Sequence, residues 1–385
     1  MRFLHTADLQ IGMPFEWAGE ERARPTLKAR REEAVERICQ LADEHDADFV
    51  LIAGDFFDAN TVGDDVIVRT CKRLDGSDLP VLILPGNHDF ASGPNCVYER
   101  DKFTGNTPDN VVVLSERAPH VLADGEVVVL PAPIYEKNEV GDTTAHLTED
   151  FGRDEAEGAI RVGLAHGSVV DFEGGESSCE IAPDRCEQAG LDYLALGDWH
   201  GFKQVNERTW YAGAPEPTSF TQNDPGHVAL VEIEEVGATP KVEQVATSQT
   251  DWVRHTAELR EAGDVDTLEQ WIQEIERPLD TLVRLELSGT LSISQKTRLD
   301  ALLSDLEDTV LHLRRRGPGV HPRATPDEID AIATDGYVRE AVEELQAKTN
   351  GSSDADDDSS PDVSDDPEAR AASEALQMLH RMKNE

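Results

Sequence analysis

The chain of 385 residues is poor in cysteine, in positive charge and in long apolar runs, and each shortage excludes something. Its five cysteines, Cys39, Cys71, Cys96, Cys179 and Cys186, form an odd and scattered set with no C-x-x-C pair. That argues against a disulfide framework and for buried or free thiols in a reducing compartment. No stretch approaches roughly 18 consecutive apolar residues, so no membrane span is expected. The opening M-R-F-L-H-T-A-D reads as a strand rather than a signal sequence. These features predict a soluble, cytoplasmic protein. Basic residues number 35 against 78 acidic ones, a formal net charge of −43. Residues 351–368 hold eight acidic and no basic residues, which leaves −35 spread over the rest. Acid excess so dispersed suits a halophilic cytoplasm, where salt screens self-repulsion. It therefore argues only weakly against a nucleic-acid partner, whose phosphates need basic contacts. Hydrophobic residues make up 38%, enough for a lean core, and the length suits two domains plus appendages.

The pattern is organised around residues 80–89, P-V-L-I-L-P-G-N-H-D. Residues 81–84 are wholly apolar, as in a strand buried on both faces of a sheet. Pro85 and Gly86 end it and leave Asn87, His88 and Asp89 at its carboxyl end, where open α/β sheets place their ligands. Alone this could be an ordinary turn, but other strands end in the same way. A strand from Phe3 ends in T-A-D-L-Q-I-G at 6–12, and F-V-L-I-A ends in G-D-F-F-D at 54–58. Helical spacing over 27–45 and a helix near 64–74 complete a β-α-β-α-β start. Beyond Asp89, apolar segments at 121–122 and 127–130 flank A-D-G-E, a hairpin signal. Strands at 160–165 and 193–196 end in H-G-S and G-D-W-H-G, and short strands near 210–211 and 228–233 follow. Antiparallel additions to a parallel sheet predict a two-sheet α/β sandwich flanked by helices.

Residues 1–235 form this unit and 236–255 read as a linker or crossing strand. A small α+β domain is expected over 256–348, with helix, strand, helix, and a strand at 309–313 ending in Arg314, Arg315 and Arg316. Residues 349–370, rich in Asp, Ser and Pro, cannot bury enough apolar surface to order themselves. Helix-forming sequence returns at 371–385, with Leu376, Leu379 and Met382 on one face. It is open whether that is a frayed terminal helix or a tethered docking helix for a partner.

The strand ends collect Asp8 with Gln10, Asp55 with Asp58, Asn87 with His88, His166, and Asp198 with His200. Parallel strands bring such ends to one sheet edge. Carboxylate, imidazole and amide donors together suit manganese, iron or zinc better than calcium. There are enough for two divalent ions sharing a carboxylate. His5 and His45 read as structural or solvated, and Trp199 as a packed aromatic.

These motifs resemble the calcineurin-like metallophosphoesterase superfamily, whose series is D-x-H, G-D, G-N-H-D/E, H and G-H-x-H. H-T-A-D, R-R-E-E opening the first helix, G-D-F-F-D, P-G-N-H-D and Y-A-G-A-P-E at 211–216 are similar to the SbcD-type DNA double-strand-break repair nucleases, with L-A-L-G-D-W-H-G nearest the YhaO-like branch. The resemblance covers residues 1–235 well. It implies a four-layer metallophosphoesterase sandwich of two mixed β-sheets flanked by helices, with a small C-terminal capping domain. It implies a first ion on Asp8, Gln10, Asp55 and His200, and a second on Asp55, Asn87, His166 and Asp198, with manganese expected. The sequence departs from the family at Gln10, where His is usual, and at Asp198, where the first His of G-H-x-H stands. His88 is implied to stabilise the transition state or protonate the leaving oxygen, and Asp58 falls where relatives often carry a substrate-facing His. Relatives of this kind dimerise and work with an SbcC-like coiled-coil ATPase.

Two basic clusters stand against the acidic background: Arg22, Arg24, Lys28, Arg30 and Arg31, and Arg314, Arg315 and Arg316. They are either solvated element ends or contacts along a DNA backbone. Without aromatic residues interleaved among them, any such binding is sequence-independent. The sequence therefore predicts a metal-dependent DNA nuclease. The alternatives are a phosphodiesterase or nucleotidase for small phosphoesters, and a non-catalytic DNA-binding subunit with a degraded metal site.

Overall fold

The computed structural model describes residues 1–169, 179–220, 223–332, 337–350 and 367–384. The chain divides into two compact units, Met1–Thr250 and Asp251–Glu385. The first begins with β1 (Arg2–Thr6), α1 (Ala23–Glu44), β2 (Phe49–Ala53), α2 (Asp64–Leu74) and β3 (Val81–Leu84). The short α3 (Asp101–Thr104), β4 (Val111–Val113), β5 (His120–Leu122) and β6 (Val127–Ala132) follow. Next come β7 (Ile160–His166), β8 (Ser168–Val169), β9 (Glu180–Ile181), α4 (Arg185–Gln188) and β10 (Tyr193–Gly197). The unit closes with β11 (Lys203–Asn206), β12 (Thr209–Tyr211), β13 (His227–Glu232) and β14 (Lys241–Ala246).

Two six-stranded sheets result, in the orders β14-β13-β1-β2-β3-β4 and β11-β12-β10-β7-β6-β5. Both are mixed: β1 to β4 run parallel while β13 and β14 run against them, and β6, β7, β10 and β12 are parallel with antiparallel β5 and β11 at the edges. Between the sheets lies one apolar layer, in which Phe3, Phe49, Leu51, Leu82 and Leu84 meet Val129, Val162, Leu164 and Tyr193. The other face of the first sheet packs on α1 and α2 through Val35, Ile38, Ile67 and Cys71. The other face of the second is covered by Leu147, Ile181, Cys186 and Leu191. The wholly apolar strands of the sequence are thus covered on both faces, which makes four layers. α2 fits its place electrostatically, with Asp64 and Asp65 in its first turn and Lys72 and Arg73 in its last.

His5 is structural. Its ring, fully buried between the sheets, lies 3.1 Å from the Tyr193 hydroxyl and 3.1 Å from the Leu196 carbonyl. The carbonyl must accept, so Nε2 carries the proton and Nδ1 accepts from Tyr193. Burial pushes its pKa down to about 3. All five cysteines are free and buried. Among the described residues no helix is long and apolar enough to cross a membrane.

The second unit is β15 (Asp251–Leu259), α5 (Ala262–Gln273), β16 (Thr281–Leu291), α6 (Ile293–Thr309) and β17 (His312–Pro322), followed by α7 (Pro326–Ile332), α8 (Tyr337–Asn350) and α9 (Pro367–Asn384). Its sheet is β15-β16-β17, all parallel, with both helical crossovers buried through Val265, Leu268, Leu299 and Leu303. Ser292 caps α6 by accepting from the Gln295 N–H at 3.3 Å.

Three expectations change here. Of the two readings of residues 236–255, strand holds and linker does not: they contain β14, paired to β13, and the first half of β15. Both are half-exposed strands interrupted by charges, which blurs their alternation. Arg314, Arg315 and Arg316 lie inside β17 rather than past its end, so alternation splits them. Arg315 turns under α6 to the Glu307 carboxylate at 3.1 Å, and Arg314 pairs in register with Arg284. The terminal helix is longer than 371–385 at its start, and it packs on its own unit, with Leu376 beside Val342 and Ile293 while Met382 is exposed. Residues 351–366, most of the acidic stretch, lie outside the described residues.

Candidate metal centre

Strand register places the ends of β1, β2, β3, β7 and β10 at one edge of the sandwich. The turns there are laced together. Asp8 N–H donates to Gly54 O at 3.1 Å, Gln10 N–H to Asp55 O at 2.8 Å, and Ile11 N–H to Phe56 O at 2.9 Å. The carboxylate of Asp89 accepts from the Gly86 N–H at 2.7 Å, the Phe57 N–H at 2.9 Å and the Tyr98 hydroxyl. Asp89 is therefore a fully buried staple between the second and third turns. Burial, with the Asp55 charge beside it, raises its pKa to about 6.

Two glycines permit the approach. A Cβ on Gly86 would overlap the Asp55 carboxylate and backbone nitrogen, and one on Gly54, at φ +91°, would overlap the His166 ring. The carboxylates themselves stand on unusual backbone: Asp8, Asp55 and Asp198 have φ of 55°, 53° and 94°, and Gln10 has 46°. Left-handed non-glycine residues concentrated in one place mark a functional site.

Asp8, Asp55 and His166 each offer a ligand atom within 4.8 Å of the others. The remaining donors sort into two groups around them. His200 Nε2 is 3.8 Å from Asp8 Oδ1. His166 Nε2 is 2.9 Å from Asn87 Oδ1, 3.5 Å from Asp55 Oδ1 and 3.9 Å from Asp198 Oδ1. Ser168 donates to Asp198 Oδ2 at 2.9 Å, and the Asp198 N–H points at the Asp8 carboxylate, 3.2 Å from Oδ2.

The residues fit a cation on three counts. His166 donates its Nδ1 proton to Ala53 O at 2.8 Å, so Nε2 faces three oxygens that a proton or a metal cation reconciles. Burial disfavours charge on His166, yet the Asp55, Asp8 and Asp198 carboxylates outweigh it and raise its pKa to about 9. The Gln10 side-chain oxygen is buried without a hydrogen-bond partner, an acceptor that a cation would satisfy. Burial raises the Asp8 pKa well above the carboxylate range, and the neighbouring Asp55 and Asp198 charges add to it although His166 opposes them. Burial likewise lowers His200 to about 4, helped by Arg31. The carboxylates and the Gln10 oxygen thus favour an added positive charge, and His200, kept neutral, offers a lone pair to it.

His88 stands at the rim. Its backbone N–H donates to Asp55 Oδ1 at 2.9 Å, its Nδ1 donates to Asp58 O at 2.8 Å, and its Nε2 is 3.9 Å from Asp55 Oδ2. Asp58 thus touches His88 through its carbonyl, while its half-buried carboxyl group has a pKa raised by burial.

The first basic cluster does not gather as a surface. Arg31 is buried, donating to the Leu9, Glu216 and Pro217 carbonyls. Arg24 is held by Phe15 O at 3.2 Å and Glu16 O at 2.7 Å, and Arg30 pairs with Glu33 at 3.0 Å. Arg22 and Lys28 are exposed. Sequence reasoning missed the structural role of Arg31, and it missed Ser168 and Thr218 beside the site. The only signal was their place next to motif residues, Arg31 in R-R-E-E and Ser168 in H-G-S.

A family model described as calcineurin-like phosphoesterase matches residues 1–202. The chain is 24% identical over 357 residues to the uncharacterized metallophosphoesterase YhaO of Bacillus subtilis, across 90% of this chain and 77% of that one. It is 25% identical over 364 residues to the DNA double-strand break repair protein Mre11 of Haloferax volcanii, across 93% of this chain and 69% of the relative. It is 22% identical over 337 residues to the SbcD component of the nuclease SbcCD of Escherichia coli K12, across 73% of this chain and 82% of the relative.

Proposed function

The chain belongs to the calcineurin-like phosphoesterase family, and from that premise we propose that it is a manganese-dependent DNA exo- and endonuclease of double-strand-break repair. The observation that carries the reading is the meeting of Asp8, Asp55 and His166 within 4.8 Å, with Asn87, Asp198, His200 and His88 around them. Asp8, Gln10, Asp55 and His200 would hold a first ion, and Asp55, Asn87, His166 and Asp198 a second. Bound there, two cations supply Lewis acidity to the phosphoryl oxygens and lower the pKa of water near neutral pH. With Nδ1 donating to Asp58 O, His88 presents Nε2 to the open rim, where the imidazolium form, protonated at both nitrogens, would hydrogen-bond a phosphoryl oxygen or protonate the leaving oxygen. The harder oxygen donors Gln10 and Asp198, in place of two histidines, support manganese over softer metals.

DNA as substrate is supported by the named relatives and by one face of the three-stranded sheet of the second unit. Arg254, Arg284 and Arg314 stand in register across its three strands, and Arg316 follows on the same face. Glu286 accepts from Arg254 at 2.7 Å and from Arg284 at 2.6 Å, which moderates the patch. A cytoplasmic homodimer working with a coiled-coil ATPase of the SbcC kind belongs to the same reading, and the relative that is one subunit of the nuclease SbcCD supports the partner.

The test is manganese-dependent degradation of linear double-stranded DNA in molar potassium chloride, with His88→Ala and Asp55→Asn as controls and bis-p-nitrophenyl phosphate alongside. Both activities should vanish in the variants. Cleavage of the small ester without DNA degradation, even with the ATPase partner added, would move the reading to a small-substrate phosphodiesterase. No hydrolysis of either substrate by metal-loaded protein would leave a binding subunit.

A further inference from the structure

The loop at 214–218 carries no metal-ligating residue, yet it is clamped from both sides. On one side the buried Arg31 guanidinium bridges Glu216 O and Pro217 O, both at 3.4 Å, to the Leu9 carbonyl. Leu9 lies between the two left-handed residues Asp8 and Gln10, so Arg31 anchors a turn with unusual backbone on both sides of the anchored carbonyl. On the other side the buried Glu216 carboxylate accepts from Arg37 Nη2 at 2.5 Å, the Gln249 N–H at 2.9 Å and the Thr250 hydroxyl at 3.0 Å. Two residues past Glu216, the Thr218 hydroxyl is 2.6 Å from Nδ1 of His200, whose Nε2 faces Asp8. A histidine that gives one ring nitrogen to a metal is oriented by the partner of the other.

We propose that Thr218 is a positioning residue that accepts the Nδ1 proton of His200 and aims Nε2 at the first ion, and that the Arg31–Glu216 brace holds both Thr218 and the Asp8–Gln10 turn in place. The proposal rests on the two-ion reading above. One buried cation thereby sets the two halves of the first half-site, while the second half-site, built on Asn87 and His166, stands outside its reach.

The experiment is manganese titration of the full-length metal-free protein by calorimetry, with electron paramagnetic resonance reporting coupled against isolated ions. Wild type should bind two ions. Thr218→Val, which keeps the shape and loses the acceptor, should weaken one site about 10–100-fold, leave the other unchanged and replace the coupled signal by that of a single ion. Thr218→Ser should restore both. Arg31→Lys, which keeps the charge but serves fewer carbonyls, should weaken the same site. Two unchanged sites in Thr218→Val, or equal weakening of both sites together with a lower melting temperature, would overturn the positioning role. Asp55→Asn separates the two levels: it should abolish both sites. If it leaves wild-type binding, or if wild type binds no manganese, the two-ion reading itself fails, and this role with it.

Discussion

Acid should loosen the sandwich through one residue far from its surface. His5 is neutral in the folded protein, with its pKa pushed down to about 3 by burial, while an unfolded histidine titrates near 6.5. The stability it contributes is complete above pH 6.5 and is lost as pH falls, because only the unfolded chain takes up the proton. The loss is about 2 kcal/mol at pH 5 and about 3 kcal/mol at pH 4, at 1.36 kcal/mol per pH unit. His5→Gln is the matching perturbation, since an amide can donate to Leu196 O and accept from the Tyr193 hydroxyl without titrating. At pH 7.5 the variant should be the less stable of the two, by about 1–2 kcal/mol for imperfect packing. On acidification to pH 5 the difference should shift in the variant's favour by about 2 kcal/mol. Urea unfolding of both proteins at pH 7.5, 5 and 4 measures this, and subtracting the curves removes the titration of every other group. The shift should be the same in 0.5 M and 3 M potassium chloride, because salt screens exposed charges and hardly reaches a ring closed between two sheets. A difference between the proteins that stays constant with pH would refute the reasoning.

Gly86→Ala should cost about 100-fold in hydrolysis with little loss of secondary structure, since the new methyl displaces the Asp55 carboxylate; kinetics with circular dichroism would check it. Tyr98→Phe removes one of three donors to the buried Asp89 and should destabilise the protein by about 1–2 kcal/mol, read from the urea midpoint. Manganese at about 100 times its dissociation constant should stabilise wild type by about 2.7 kcal/mol for each ion bound, through mass action. Chelator should reverse that gain, and Asp55→Asn should show none of it in a thermal melt.

Much of the layout was legible because the strands beneath the site are wholly apolar and end abruptly. Val81–Leu84 before P-G-N-H-D, and Phe49–Ala53 before G-D-F-F-D, need no structure to be placed. The sequence leaves β14 open between linker and strand and hides β15, because each has one face in water, and charges such as Glu243 and Arg254 interrupt their alternation. The arginines misled for a related reason. A sequence states charge but not side: Arg315 turns under a helix, Arg314 lies on the opposite face, and Arg31 is buried as a brace. The donor atoms of the metal centre could be collected from strand ends, whereas their partners Thr218 and Ser168 gain meaning only from distances.

The left-handed backbone at the metal centre restricts which amino acids can occupy it, before any chemistry is considered. At φ near 55°, Asp, Asn and Gly fit with least strain, and His is favoured over most others. Replacing Asp8 or Asp55 by alanine therefore perturbs two things, the ligand and the fit of the main chain, and asparagine is the cleaner probe. The same filter acts at position 10, where φ is 46°. Glutamine sits less comfortably there than histidine would, so a Gln10→His reversion should relax the turn as well as change the donor. Drift at this centre is channelled: a lineage can exchange ligands at these positions only through residues that tolerate the bend.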